Sequence, residues 1–440
     1  MFLDYLREIW SDAEYSFLQT PNGNHLRFKD IDKVSISGIE NIRAGDVVVV
    51  IGDFDSESIA TLLNLLERGA IVVPLTNETC GQHDYFVQES RAQYIFEKNV
   101  LAKIVSSSQQ EHTLLDYLRN KEHPGLILFT TGTTGSPKAI LHDFLPFISR
   151  YKTPRPPLKA VSFLLFDHIG GINTLFHILF NLGQIVSIQN RAVGSVVNTI
   201  RDNSVELLPT TPTFLRMLSL YPGIETSLGS SLKIISYGTE RMDQPTLQRL
   251  CDQFPEVDFR QTYGMSELGI LRVKSKARDS VYMTVGGECV NTKIVDNILY
   301  IKAENRMLGY LNAPTPFDDE GWYCTKDIVK IDTDGYLTII GRDSDVVNIG
   351  GLKFMPSEVE SRLLEMSFIS KAQAYSRPNP ITGQHLEVKI ELEDDSLDAQ
   401  QLAQIRKSII NNLSTKLPSY MLPSRIIFGD IKMSHRFKKL

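Results

Sequence analysis

The chain has 440 residues, 42% of them hydrophobic and 22% charged, proportions that exclude a disordered chain and a membrane bundle. Its 46 Lys and Arg against 52 Asp and Glu leave a net charge of −6, which removes the electrostatic case for nucleic acid or an anionic lipid surface as partner. One hydrophobic core stops growing well below this length, so at least two domains are expected.

In chain order, residues 1–8 are acidic early and amphipathic, unlike a signal peptide. An apolar run over 46–51, a helical pattern over 56–68 and a second run over 70–75 predict a parallel strand–helix–strand unit. Similar alternation over 160–166, 184–188, 206–208 and 232–236, with helices between, extends this into a layered α/β domain. After Glu267 the texture changes to short strands over 293–295, 298–301, 329–332 and 336–340, with Asp334-Gly335 as a hairpin turn. Helices over 355–365 and 398–416 and strands over 372–376 and 387–392 then predict a compact α+β tail. The fold class expected is α/β: a large layered α/β N-terminal domain (1–341) closed by a small β module, a hinge (342–345), and a small α+β C-terminal domain (346–440). No stretch reaches membrane-spanning length, and Cys80, Cys251, Cys289 and Cys324 are too scattered for a metal site, so the predicted address is cytoplasmic, without membrane insertion. Oligomeric state is not encoded in any pattern of the chain.

The most informative segment runs from the apolar residues 126–129 into Thr130-Thr131-Gly132-Thr133-Thr134-Gly135-Ser136-Pro137-Lys138. Gly132 and Gly135 let the backbone turn and present N–H groups to an anion, while threonine hydroxyls and the Lys138 ammonium add donors. Pro137 before Lys138 and Ala139 after it break the ending of a P-loop NTPase.

That segment resembles the phosphate loop of the adenylate-forming superfamily, which comprises acyl-CoA synthetases, adenylation domains of peptide synthetases and luciferases. Tyr263-Gly264-Met265-Ser266-Glu267, Trp322-Tyr323-Cys324-Thr325-Lys326-Asp327 and Gly341-Arg342-Asp343-Ser344-Asp345 resemble three further motifs of the superfamily, in the right order. The resemblance implies that Thr130, Thr131, Gly132, Thr133, Thr134, Gly135 and Lys138 hold the β- and γ-phosphates of ATP and that Glu267 holds Mg²⁺, a hard cation suited to carboxylate oxygen. It implies that Tyr263 and Gly264 lie at the adenine, that Ser266 contacts the α-phosphate, and that Gly238 and Thr239 form the adenine loop. Asp327, with two acceptor oxygens, would receive the ribose hydroxyls, and the rigid fork of Arg342 would reach ribose and phosphate.

His168 resembles the histidine bordering the acyl pocket, and placing it rather than Asp167 there points to a non-amino acid substrate. Gly350, Gly351 and Lys353 resemble the loop that enters the site for thioester formation, and Ser344 falls on the hinge. Counting from Ser434 selects Lys438 as the adenylation lysine, with Lys439 as the alternative. Three positions depart from the pattern: Tyr237 replaces a small residue, and Lys326 and Phe437 each replace a glycine.

The activity implied is ATP-dependent activation of a small-molecule carboxylic acid to an acyl-adenylate, with pyrophosphate release, followed by transfer to a thiol, coenzyme A in the first instance. Lys138, Glu267, His168 and Lys438 are then the catalytic candidates. Two alternatives accompany it: a stand-alone enzyme loading the phosphopantetheine of an acyl or peptidyl carrier protein, and a non-catalytic binding protein on the same fold. Phe214 and Tyr237 are expected to wall a pocket for an aryl or medium acyl group.

Overall fold

A computed structural model describes residues 2–104, 112–130, 136–287, 289–394 and 396–432. Three seven-stranded sheets carry the first three quarters of the chain. One is built on the parallel strands Val47–Ile51, Ile71–Leu75 and Tyr94–Glu97, joined by Gly125–Phe129. Alternation explains its valines: Val48, Val50, Val72 and Leu126 face one core, and Val47, Val49, Val73 and Ile127 face another. Burial on both faces is why the run reads as continuously apolar, and each such valine contributes about 1.5–3 kcal/mol. Helix Ser56–Glu67 starts where the Asp55 carboxylate accepts the Ser58 N–H at 2.8 Å.

The second sheet orders Asp258–Gln261, Ile234–Tyr237, Leu207–Thr210, Lys159–Val161 and Gln184–Val186 as parallel neighbours. Its strand at 159 is shorter than the apolar run 160–166 predicts. The chain leaves the ladder after Val161 so that His168 can cap helix Ile169–Phe180, its Nδ1 accepting the Gly170 N–H at 3.0 Å. Gly171 sits so tightly beneath that loop that a Cβ there would lie 1.9 Å from the Leu165 carbonyl oxygen. Helices Ser56–Glu67 and Ile169–Phe180 contribute to one core with residues of both sheets.

Gly125–Phe129 pairs with Ile71–Leu75 only at Ile71 and Val72, while its other edge pairs along its full length with the antiparallel strand Ala139–Asp143, from Gly125 opposite Asp143 to Phe129 opposite Ala139. Pro74 stands on Ile71–Leu75 beyond the parallel pairs. The third sheet is antiparallel and runs from Tyr263–Met265 through Gly269–Ser275 to Tyr323–Ile331 and Leu337–Arg342. Beyond it, a hairpin (Val347–Ile349 and Leu352–Phe354), helices Pro356–Leu363 and Ala399–Lys416, and the sheet of Ile369–Asn379, Gly383–Leu392 and Arg425–Phe428 enclose a core of their own. The large N-terminal domain with its β module and the small α+β unit agree with the fold class expected from sequence. Among the described residues no helix is long and apolar enough to cross a membrane.

Candidate active site

A cleft of about 1510 Å³ opens where the parallel strands of the second sheet end and the third sheet begins. The hairpin of Phe129 and Ala139 delivers the threonine-rich loop to its edge. The Thr130 N–H donates to the Lys138 carbonyl and the Lys138 N–H to Thr130 Oγ1, both at 3.1 Å, so the loop is closed at its base. Thr131, Gly132, Thr133, Thr134 and Gly135 lie outside the described residues. The exit is clamped by Asn312, whose amide donates to the Pro137 carbonyl at 3.1 Å and whose Oδ1 accepts the Ala139 N–H at 2.9 Å. Tyr85 donates to the same Pro137 carbonyl at 2.9 Å.

Lys138 and Glu267, 129 positions apart, are joined by a residue that no motif indicated. The Lys138 ammonium lies 4.7 Å from the ring centroid of Tyr310, and the Tyr310 hydroxyl donates to Glu267 Oε1 at 2.7 Å. Burial, then the neighbouring carboxylate, hold the Tyr310 hydroxyl far above the usual phenol range, so it remains a donor. Behind them His142 Nε2 lies 2.7 Å from the Ser266 carbonyl. Burial pushes this imidazole down to about 4, and a neutral ring facing a carbonyl must carry its proton on Nε2. His142 thereby fixes the Ser266-Glu267 turn. Glu267 is only 8% exposed yet lines the cleft, an acceptor-only group aimed at solvent-filled space. Among the described residues no group of three His, Cys, Asp or Glu could hold a metal ion by itself. One carboxylate sharing a cation with phosphate oxygens is how Mg²⁺ is commonly held, so Glu267 fits that ion as a partner to a nucleotide.

Opposite, Arg342 lines the cleft, while Asp327, expected to receive the ribose hydroxyls, lies buried behind that lining with both of its oxygens engaged. Tyr263 donates to Oδ2 at 2.6 Å, and Arg342 Nε lies 3.2 Å from Oδ1. Burial raises the Asp327 carboxyl, and Arg342 and Tyr263 pull it back. The Tyr263 ring packs in the core of the third sheet, so in this structure Gly264, Met265 and Ser266 line the cleft while the tyrosine stands behind them. Lys326 adopts φ +60°, the left-handed conformation glycine takes freely, so the substitution preserves the backbone at a cost of about 1–2 kcal/mol.

The adenine-loop candidates lie side by side. A Cβ on Gly238 would sit 2.2 Å from Thr262 Oγ1 and 2.8 Å from the Thr262 carbonyl, so only glycine permits this approach. Thr262 is itself bonded to the Tyr237 carbonyl through its N–H at 2.7 Å and its hydroxyl at 3.1 Å. Thr239 follows at φ +69°. Tyr237 and Phe214 do not wall the pocket as expected from sequence. Strand alternation turns Ile234 and Ser236 to the cleft and Ile235 and Tyr237 into the core, where Phe214 stacks 4.4 Å from Phe163. His168 lines the cleft, whereas Asp167 turns away from it and accepts from the Thr76 hydroxyl at 3.1 Å.

The small domain presses on the same region from outside. Arg241, two residues after Thr239, donates to the Ile339 carbonyl at 3.2 Å and to Ser361 Oγ at 3.1 Å, and the Ser357 hydroxyl donates to the Ile340 carbonyl at 2.6 Å. Gly350 and Gly351 form a left-handed hairpin turn at φ +60° and +90°, tied to the next hairpin by the Gly350 N–H on the Thr382 carbonyl at 2.9 Å. They and Lys353 do not line the cleft in this arrangement. Ser344 and Asp345 do, so the segment expected to be the hinge borders it. Phe437, Lys438 and Lys439 lie outside the described residues.

Residues 37–311, more than half of the chain, match the family of AMP-binding enzymes, and the chain belongs to that family. It is 27% identical over 291 residues to 4-coumarate–CoA ligase-like 6 of Arabidopsis thaliana, a match covering 59% of this chain and 51% of that protein. With Surfactin synthase subunit 2 of Bacillus subtilis (strain 168) it shares 23% identity over 469 residues, covering 93% of this chain and 13% of that one. The matches thus span about half of the first relative and a small part of the second. Among solved structures, an anthranilate CoA ligase in complex with anthranoyl-AMP superposes with a TM-score of 0.83 at 18% identity, covering 99% of this chain and 95% of that one. The o-succinylbenzoate CoA synthetase of Bacillus subtilis, in complex with its acyl-adenylate intermediate, gives 0.75 at 18% identity, covering 100% and 96%. At that identity the likeness establishes the fold alone, and it is the family match that bears out the adenylate-forming resemblance.

Proposed function

We propose that this protein activates a carboxylic acid with ATP and passes the acyl group to a thiol. The observation that carries the reading is the assembly, around one cleft, of Lys138, Tyr310 and Glu267 on one side and Arg342 on the other, the last backed by the buried pair Asp327 and Tyr263. Those are donors and a carboxylate suited to Mg²⁺ for a triphosphate, opposite an Arg342–Asp327 pair whose opening would offer a sugar a carboxylate oxygen and a guanidinium. In the first half-reaction a carboxylate oxygen attacks the α-phosphorus, the bond from that phosphorus to the β-phosphate bridge breaks, and pyrophosphate leaves. Positioning and electrostatics carry this step. Lys138 and the threonine loop hold the departing phosphates, and Ser266, fixed by His142, faces the α-phosphate. Mg²⁺, held by Glu267 with the phosphates, supplies charge neutralisation when bound. His168 borders the reacting carboxyl, and Gly238 and Thr239 take the adenine edge.

In the second half-reaction the thiol sulfur attacks the acyl carbon, the bond to AMP breaks and the thiol proton is released. The domains proposed are 1–341 and 346–440 with the hinge at 342–345. Rotation of the small one would bring Lys438 to the cleft for adenylation and Gly350, Gly351 and Lys353 for thiolation. Coenzyme A is the acceptor favoured by the CoA-ligase relatives and neighbours. The match to a surfactin synthase subunit over 93% of the chain supports a second reading, in which a carrier protein's phosphopantetheine takes the acyl group. Pyrophosphate exchange into ATP across a panel of acids, followed by thioester assays with CoA and with carrier proteins, tests both. Exchange with no acid would refute the activity and leave the binding-protein alternative.

A further inference from the structure

The nucleotide candidates occupy only one end of the cleft. Gly238, Thr239 and Thr262 follow the carboxyl ends of their parallel strands, but Leu207, Ile234 and Asp258, one in register with the next, stand at the opposite ends of the same strands and also line the space. The cleft therefore runs the length of a four-residue strand, on the order of 10 Å.

Its walls carry Arg150, Arg155, Arg260, Arg272 and Arg278, whereas beyond Glu267 and the hinge the acidic residue on them is Asp258. Asp258 is taken by Arg260 at 2.6 Å. Among the described residues the other four arginines have no carboxylate within ion-pair distance. Arg150 is instead held by the carbonyls of Phe147, Ile270 and Asn305, and Arg278 by those of Val257, Cys251 and Phe254. Backbone carbonyls orient a guanidinium without cancelling its charge. Helix Ile169–Phe180 adds polar groups one turn apart: Tyr151 donates to Asn173 Oδ1 at 3.0 Å, which leaves the Asn173 amide N–H groups as donors, and His177 lines the same wall. In a chain of net charge −6, such a concentration of cations and donors in one cavity is local design rather than background.

We infer that the acid taken by this cleft carries a second anionic or strong acceptor group, such as another carboxylate, which reaches the arginine-bearing end, on the order of 10 Å from the nucleotide end. The inference rests on the adenylation reading and deepens it: a plain alkyl or unsubstituted aryl acid gives the cations along this wall no acceptor, whereas a second anion gives them charge-assisted hydrogen bonds.

The test is pyrophosphate exchange with pairs of acids matched in length, each dicarboxylic acid against the half-ester that masks its far end. The diacid is expected to show kcat/KM at least about tenfold higher, with the advantage shrinking as salt rises. Arg155→Glu with Arg272→Glu, both exposed, is expected to raise KM for the diacid by about tenfold while moving KM for ATP far less. Equal or better turnover of half-esters or plain monoacids would overturn the inference and leave adenylation standing. An increase in KM for CoA rather than for the acid would assign the arginines to the thiol and overturn it as well. Exchange with no acid at all would defeat the adenylation reading and this inference with it.

Discussion

Tyr310→Phe removes one hydroxyl and keeps one ring, which separates the two contacts that join Lys138 to Glu267. The hydroxyl makes a 2.7 Å bond to a carboxylate, a class of hydrogen bond worth about 1.5–3 kcal/mol. At 1.36 kcal/mol per tenfold, its loss should lower kcat/KM for ATP in pyrophosphate exchange by roughly 10- to 150-fold, because the carboxylate is no longer held where it meets metal and phosphate. The phenylalanine ring still faces the Lys138 ammonium at 4.7 Å, so Tyr310→Leu should cost a further ~0.5–2 kcal/mol, about 2- to 30-fold more. The assay is exchange at saturating acid with ATP and Mg²⁺ varied independently, beside a denaturation curve for each variant. A Phe variant as active as the parent, or Phe and Leu variants equally impaired, would refute the account of this pair.

His142, held at about 4 against an ordinary 6.5, is neutral in the fold and protonated more readily once unfolded, so its contribution to stability is complete above pH 6.5 and declines as pH falls toward 4, by up to ~1.4 kcal/mol per pH unit. Urea melts at pH 7 and pH 5 should show that loss, and His142→Gln should reduce it to the share left by His177, which burial also pushes down to about 4; parallel pH dependences would count against the assignment. Gly171→Ala meets the Leu165 carbonyl at 1.9 Å and should destabilise by about 3 kcal/mol or more, read by denaturant midpoint. Lys326→Gly relieves a left-handed side-chain conformation and is expected to keep KM for ATP within about threefold without lowering stability, so a collapse of nucleotide affinity would show that the lysine itself binds. Lys438→Ala should abolish adenylate formation yet spare thioester formation from supplied acyl-adenylate, and loss of both would contradict the role proposed for Lys438.

What could be read from the chain was whatever chemistry is local in sequence. Val47 to Ile51 reads as a strand buried on both faces, and the run from Gly125 to Phe129 as a strand ending at a loop. Tyr310, His142 and Asn312 carry no such mark, since each is defined by a partner more than forty residues away. Tyr237 was misread although its alternation with Ser236 was visible: the residue type suggested a stacking platform, while the pleat had already assigned that side to the core. The basic end of the cleft was illegible for a further reason. Its arginines come from four separate segments and meet only after two sheets have packed.

The single imino acid on the strand Ile71–Leu75 explains where the parallel ladder leading to the threonine-rich segment ends. The Ala70 carbonyl accepts the Gly125 N–H, whereas the Ile71 N–H donates to Asp46 and the Leu75 carbonyl accepts the Gly52 N–H. Even positions on this strand therefore look toward Gly125–Phe129 and odd ones toward Val47–Ile51, and position 74 belongs to the even set. With no hydrogen to give, Pro74 cannot extend the rungs past Val72, so Gly125–Phe129 loses its parallel neighbour after Leu126 while its other edge stays paired with Ala139–Asp143 as far as Phe129. A missing proton on one edge thus opens the fork from which the threonines and Lys138 emerge.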